Sequence, residues 1–390
     1  MIREKFDIIV YGDMKNNPNY KAANVVQYIE ALNKMGLMGN IICRDSDDYK
    51  NSIAIPFGSL IPKFLTFLQV KLGINTRNFS QNILFDFFAS RKIKSKYIIS
   101  TVQGLKKCLK KTHDRGGIYI ELSPTEYLAM FLNKLEEESS KFYLSFQKSK
   151  RPIFINGVET SKKADYIIGN SNHVQETYLK NGFDSSRVFY CPSVVRIKNK
   201  LEINNKDILP HKKEIVFLYV AHTQILKGLQ YLIEAWRSLS YGSSARLKIV
   251  GNMDKNLKKI FKDYKKESNI DFIGPVSNPQ MYYEEADVFV LPTLSEGASN
   301  VILEAMSFGL PIISTTECGI EYEDGRDGFI IAPGSIEILR DKIDYFHKNR
   351  NAISKMGENA KRTLEKRYNN NAIIIKTEEV LHKIIESETT

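Results

Sequence analysis

Two glutamates late in the chain, Glu296 and Glu304, are separated by seven residues, and their surroundings suit phosphate and sugar chemistry. The run VFVLP (Val288 to Pro292) is short, apolar and closed by proline, which predicts a buried strand. TLSEGASN then supplies turn formers, and VILEAMSF supplies helix formers up to Gly309 and Pro311, where a helix must stop. A strand, a loop of small residues and a helix start bring together free backbone N–H groups and the positive end of a helix dipole. Gly297, Ala298, Ser299, Asn300 and Val301 are therefore a predicted anion cradle. An acid in such a cradle repels phosphate unless it faces something else, and sugar hydroxyls fit that role. The predicted ligand is phosphorylated and rich in hydroxyls: a nucleotide sugar.

A second phosphate-binding element is predicted at AHTQILKG (Ala221 to Gly228), between the strand pattern EIVFLYVA and the helix pattern LQYLIEAW. Lys227, beside Gly228 at a helix start, can neutralise a diphosphate as it becomes a leaving group. His222 either donates to a phosphate when protonated or is a neutral loop residue. No metal site is predicted, since there is no Asp-x-Asp in a suitable loop and the six histidines do not cluster. No cofactor is predicted either, the nucleotide-diphosphate sugar being a co-substrate.

The elements that must position these residues alternate in type. FDIIVYG, NIICR, KYIIST, GGIYIEL, ADYIIGNS and RVFYCP read as strands, with ANVVQYIEALNKMG and HVQETYLKNGF as helices among them. After the polar stretch Lys198 to Lys213 the pattern restarts with EIVFLYVA, LQYLIEAWRSL, ARLKIVG, LKKIFKDYKK, IDFIG, DVFVLP and LPIIS. Such alternation predicts parallel sheets covered by helices, with ligands at the carboxyl ends of the strands. The chain's 390 residues suit two domains, expected at 1–197 and 198–370. In NAIIIKTEEVLHKIIESE, Ile373, Ile374, Leu381, Ile384 and Ile385 form one helical stripe.

Composition excludes several classes. Four scattered cysteines with no CxxC pair argue against a disulfide framework or a zinc site and for reduced thiols in a cytoplasmic protein. MIREKFDIIVYG runs straight into a strand pattern, so no signal peptide is expected, and no apolar run approaches the ~20 residues of a spanning helix. The net charge of +11 is uneven: residues 1–200 hold 31 basic and 18 acidic residues, the remainder 25 and 27. Residues 51–120 hold 12 basic residues against two acids, Asp86 and Asp114. No nucleic-acid-binding motif accompanies that charge, so an anionic membrane surface is the expected partner. Within it, SLIPKFLTFLQVKLGI (Ser59 to Ile74) reads equally as a helix lying on a membrane or as one packed on the core.

SEG followed by NVILEAMSFGLPII, with Gly319, Glu321 and DGRDGFIIAP after it and YYEEADVFVLP before it, resembles the C-terminal signature of the family 4 retaining glycosyltransferases (group 1). Lys227-Gly228 matches that family's Lys-Gly, while His222 stands where many relatives have arginine. STVQGLKKCLKKTHDRGGIYIELSPTEYLAMFLNKLEEE (Ser100 to Glu138) looks like a subgroup whose strand ends in Glu-Arg-Gly-Ser-Thr-His. Here Glu121-Leu-Ser-Pro-Thr-Glu126 replaces it, so Glu126 stands at the histidine's place. ADYIIGNSNHVQETYLKNGFDSSRVFYCPSVV is similar to the strand–helix–strand that leads to the family's interdomain linker. The resemblance covers most of 95–335.

What it implies is an α/β GT-B fold: two doubly wound, Rossmann-like domains facing across a cleft, with residues 371–390 as a last helix docking back on the first domain. It implies metal-independent transfer of a sugar, with retained configuration, from a UDP- or GDP-sugar to a glycan or lipid-linked acceptor in cell-surface polysaccharide or glycoconjugate synthesis. The enzyme is then expected in the cytoplasm, peripheral on the inner face of the membrane. Glu296 would hold the donor sugar's hydroxyls, Glu304 the ribose, and Lys227 the leaving diphosphate. Acceptor-side candidates are Gly12, Asp13, Glu121, Asn170 and Ser171. Glu126 is either a further acceptor contact in the reacting centre or simply an acid stabilising a helix start. The alternatives are a nucleotide-sugar epimerase or hydrolase of the same fold, and a catalytically silent nucleotide-sugar-binding protein.

Overall fold

A computed structural model of the protein describes residues 4–14, 23–46, 50–55, 77–142, 152–193, 214–222, 224–253, 257–258, 261 and 269–389. Segment 59–74, the stretch 198–213 and most of LKKIFKDYKK lie outside the described residues. The chain divides into two compact units, one of Met1–Phe131, Gln147–Val194 and Asn370–Thr390, the other of Leu132–Phe146 and Val195–Asn369.

In chain order the first unit holds β1 (Phe6–Met14), α1 (Ala23–Met35), β2 (Met38–Ser46), β3 (Ser52–Ala54), α2 (Arg77–Ser90), β4 (Tyr97–Ser100), α3 (Lys106–His113) and β5 (Ile118–Ser123). Next come the start of α4 (Leu128–Lys141), α5 (Pro152–Lys163), β6 (Tyr166–Gly169), α6 (Asn172–Leu179) and β7 (Val188–Tyr190). Seven parallel strands pair in the order β3-β2-β1-β4-β5-β6-β7. Strand side chains alternate between faces, so each face acquires its own core. Ile8, Ile99 and Ile120 pack with Val25, Ile29 and Leu32 of α1, whereas Ile9, Ile98 and Tyr119 pack with Phe85, Leu109 and Val174.

The second unit holds β8 (Ile215–Val220), α7 (Leu229–Arg237), β9 (Ala245–Val250), β10 (Ile270–Gly274), α8 (Gln280–Glu285), β11 (Val288–Leu291), α9 (Asn300–Ser307), β12 (Ile312–Thr315), β13 (Gly328–Ile331), α10 (Ile336–Lys348) and α11 (Arg350–Arg367). Six parallel strands pair in the order β10-β9-β8-β11-β12-β13. Every residue of β8, β11 and β12 is buried, as expected of central parallel strands. The strand order reverses beside β8, between β9 and β11, and the loops carrying Lys227 and Glu296 leave the carboxyl ends of β8 and β11 at that point.

The last helix, α12 (Asn370–Ser387), belongs to the first unit. Its Ile374, Val380, Leu381 and Ile384 enter the same core as α1, and the buried Thr377 hydroxyl accepts a hydrogen bond from Gln27 Nε2 at 3.2 Å. The two Ala-Asp pairs of the sequence have matching structural jobs. Asp165 accepts from the Tyr119 amide at 2.7 Å and Asp287 from the Val216 amide at 2.8 Å, each tying a strand's start to its neighbour.

Candidate active site

In the second unit, Lys227 ends a single 3-10 turn, Ile225–Lys227, and Gly228 both closes that turn and starts α7. Gly228 has a φ of 71°, and a Cβ there would overlap the carbonyl oxygen of Pro292, so this crossing of the two loops admits only glycine. The loop after β11 is tied to the same place. The Leu294 amide donates to the Leu226 carbonyl at 2.8 Å, and the Thr293 hydroxyl donates to it at 3.0 Å. These bonds carry Glu296 to Lys227, whose Nζ pairs with Glu296 Oε1; both side chains are about four-fifths buried. The two charged residues, 69 positions apart in sequence, are thus brought together.

Gly297, Ala298 and Ser299 run against the loop after β12. Gly319, at φ 69°, leaves room for the Gly297 carbonyl where any side chain would overlap it, and the Ser299 amide donates to the Cys318 carbonyl at 3.1 Å. Ser299 is the N-cap of α9, yet its hydroxyl makes no capping bond. That oxygen is buried with no hydrogen-bond partner among the described residues. An orphaned hydroxyl at a helix N-terminus marks a place where a ligand oxygen can complete the site. Asn300 and Val301 begin α9, and Glu304 follows one turn later. Glu304 Oε2 accepts from the buried Tyr283 hydroxyl at 2.9 Å, while burial and then the charge of Glu304 push the Tyr283 pKa well above its ordinary range. Tyr283 therefore stays a donor and fixes the Glu304 carboxylate. His222 is exposed.

The first-unit candidates separate into groups. β1 runs on to Met14 beside β2, with a register shift between Val10 and Asp13, so the strand includes Gly12, the end of FDIIVYG, and Asp13 beyond it. Glu121 lies inside β5, where the strand pattern GGIYIEL puts it, and is fully buried. Its Oε1 accepts from the Ser161 hydroxyl at 2.5 Å and from Gln103 Nε2 at 3.1 Å, while Oε2 has no partner among the described residues. Burial pushes its pKa from 4.5 up to about 7, against the lowering effect of those donors. Ser171 caps α6, accepting from the Val174 amide at 3.1 Å, and the Asn170 side chain donates to the Pro124 carbonyl at 3.3 Å.

Glu126 is fully buried just beyond the carboxyl end of β5, and His173, in the first turn of α6, sets Nε2 3.7 Å from Glu126 Oε2. The loop after β5 is stitched to α6 by the Tyr127 amide donating to the Thr177 hydroxyl at 2.8 Å. His173, Tyr283 and Lys134 escape the sequence reading. Each sits in an ordinary helical pattern, and only the fold gives it a partner.

Comparison with known proteins bears on this arrangement. Residues 202–363, which include Lys227, Glu296 and Glu304, match the family "Glycosyl transferases group 1". The chain carries a group 1 glycosyl transferase domain. An uncharacterized glycosyltransferase of Haemophilus influenzae is 30% identical over 177 residues, 44% of this chain and 48% of the relative. The capsular polysaccharide biosynthesis glycosyltransferase CapM of Staphylococcus aureus is 26% identical over 242 residues, 60% of this chain and 63% of the relative. The chain thus spans about half to two thirds of these relatives' lengths. Among solved structures, Anabaena HepE in complex with UDP and glucose superposes with a TM-score of 0.64 at 15% identity, covering 97% of this chain and 99% of that one. WaaG, a glycosyltransferase involved in lipopolysaccharide biosynthesis, gives 0.64 at 15% identity, covering 96% and 99%. The fold is GT-B, two Rossmann-like units of which the glycosyl transferase domain occupies the second.

Proposed function

We propose that the protein is a retaining, metal-independent glycosyltransferase that moves a sugar from a UDP- or GDP-sugar to a glycan or lipid-linked acceptor in cell-surface polysaccharide or glycoconjugate synthesis. The observation that carries this reading is the meeting of Lys227 and Glu296 beside the N-terminus of α9, with the buried Ser299 hydroxyl left over. Negative charge develops on the departing diphosphate, and the cation, the α9 amides and Ser299 are placed to receive it. Glu296 turns to the sugar's hydroxyls and favours the oxocarbenium-like ring. Glu304, aimed by Tyr283, takes the ribose. Retention follows a front-face path in which the anomeric C–O bond to phosphate breaks, the acceptor's proton passes to the leaving phosphate oxygen, and the acceptor oxygen forms the new glycosidic bond on the same face.

On the acceptor side, Glu126 orients His173, whose imidazole hydrogen-bonds an acceptor hydroxyl. CapM is a capsular polysaccharide enzyme, and S. aureus TarM was crystallised with UDP and α-GlcNAc-glycerol. Both support an acceptor of the glycan class. A peripheral membrane location is supported by the packed helices α2, α3 and α5. There Ile83, Phe87 and Ile155 are exposed and Arg91 lies 3.4 Å over the Phe87 ring.

Turnover of a donor carrying ¹³C at the anomeric carbon, followed by NMR with a cell-envelope glycolipid fraction, tests the proposal. A glycoside product with the donor's configuration is expected. An inverted product rules out the retaining path, and an isomerised or free sugar unaffected by acceptor favours the epimerase or hydrolase reading.

A further inference from the structure

We propose that Lys134 is a second cation of the donor site and faces the sugar-bearing phosphate. The inference rests on the donor-site reading above. A nucleoside diphosphate brings more negative charge than one lysine offsets, and Lys227 already faces Glu296. Lys134 lies in the part of α4 that belongs to the second unit, and its Nζ donates to the Leu294 carbonyl at 3.1 Å. That carbonyl sits in the strip of backbone joining the two key residues. Leu294 is bonded to Leu226, next to Lys227, and Glu296 is two positions further on. The ammonium is thus held on the loop that carries Glu296, two residues before it.

The helix is anchored there. Tyr231, in the first turn of α7, donates to the buried Glu138 carboxylate at 2.7 Å, and its ring meets Phe142 edge-on at 6.3 Å. Lys134 and Glu138 are one turn apart and share a helix face, so fixing Glu138 fixes the base of Lys134. A phosphate oxygen is a charged acceptor, so the bond it offers the ammonium is stronger than one to a carbonyl, and the flexible lysine stem can rotate to reach it.

The test is calorimetric titration of the full chain, as wild type, Lys134→Gln and Lys134→Arg, with UDP, UMP, GDP and GMP. For whichever base binds, Lys134→Gln should weaken the diphosphate ~10-fold more than the monophosphate, and Lys134→Arg should restore most of the difference. Unchanged diphosphate affinity in Lys134→Gln overturns the proposal. So does an equal loss for both nucleotides, which would mean that Lys134 only braces the loop. A wild type that binds neither UDP nor GDP overturns the donor-site reading, and this inference with it. Wild-type binding with an indifferent variant overturns this inference alone.

Discussion

Lys227 and Glu296 are a charge pair that the proposed reaction must pull apart, one partner going to phosphate and the other to hydroxyls. Removing either leaves the fold, because the partner left behind keeps about a fifth of its side-chain surface in water and can be solvated there. Glu296→Ala and Lys227→Ala should therefore melt close to wild type while losing ~10²-fold or more in kcat/KM, the scale of one charge-stabilising group. Near-normal transfer in both variants would remove the site assignment. Glu121 behaves differently, as a buried acid that stabilises nothing when ionised. Its folded pKa, about 7, lies above the ordinary 4.5, so the folded chain binds the extra proton. Stability from this group is complete below 4.5 and is lost as pH rises through 7, at a cost of roughly 3 kcal/mol. Glu121→Gln should accordingly raise Tm relative to wild type at pH 8, with the gain vanishing towards pH 4.5. A gain that is constant across that range would show that Glu121 stays ionised.

At the scale of elements, the carboxyl ends of β8 and β11 were legible because their loops are short and their residue types have narrow uses. VFVLP, SEG and NVILEAMSF became β11, its loop and α9 almost as spaced, and Lys-Gly became the turn before α7. The first unit was less readable where a local pattern met a tertiary decision. The strand pattern FDIIVYG ends at Gly12, but β2 is long enough to keep pairing with β1 beyond it, at Asp13 and Met14. Nothing in KLEEE distinguishes Lys134 from a solvated helix lysine, since its partner carbonyl is 160 residues away. Glu126 was visible as a departure from a family motif, whereas His173 became its neighbour only because β5 and β6 are adjacent in the sheet. The α12 stripe leads to a stability test. Ending the chain at Tyr368 removes four side chains from the core shared with α1, each contributing ~1.5–3 kcal/mol, a sum comparable to the whole stability of a domain. The shortened chain should lose its cooperative melt, and one that melts and turns over like the full chain contradicts this packing.

At the scale of the whole molecule, residues 51–120, which hold most of the excess charge, belong to the first unit, and Lys227 and Glu296 belong to the second. Both acids of 51–120 are occupied: Asp86 is buried, accepting from the Lys107 and Cys108 amides at 2.8 Å, and Asp114 pairs with Lys110 at 2.7 Å. Lys107 and Lys111 are exposed, and the Lys107 Nζ lies 5.7 Å from the centre of the Phe87 ring of α2. Binding to anionic liposomes should exceed binding to neutral ones and should weaken as salt shortens the Debye length. Lys106/Lys107/Lys110/Lys111→Glu should abolish that preference while donor binding persists; equal recovery on both liposomes at low salt would refute it.

The central claim, a nucleotide-sugar site built on Lys227 and Glu296, is tested most directly by a thermal-shift screen of UDP-, GDP- and ADP-sugars on wild type and Lys227→Ala. A ligand at 100 times its Kd adds about 2.7 kcal/mol to the folded state. UDP- or GDP-sugars should raise the wild-type Tm and lose most of that effect in the variant. No shift with any nucleotide sugar, or the same shift in both proteins, would contradict the account.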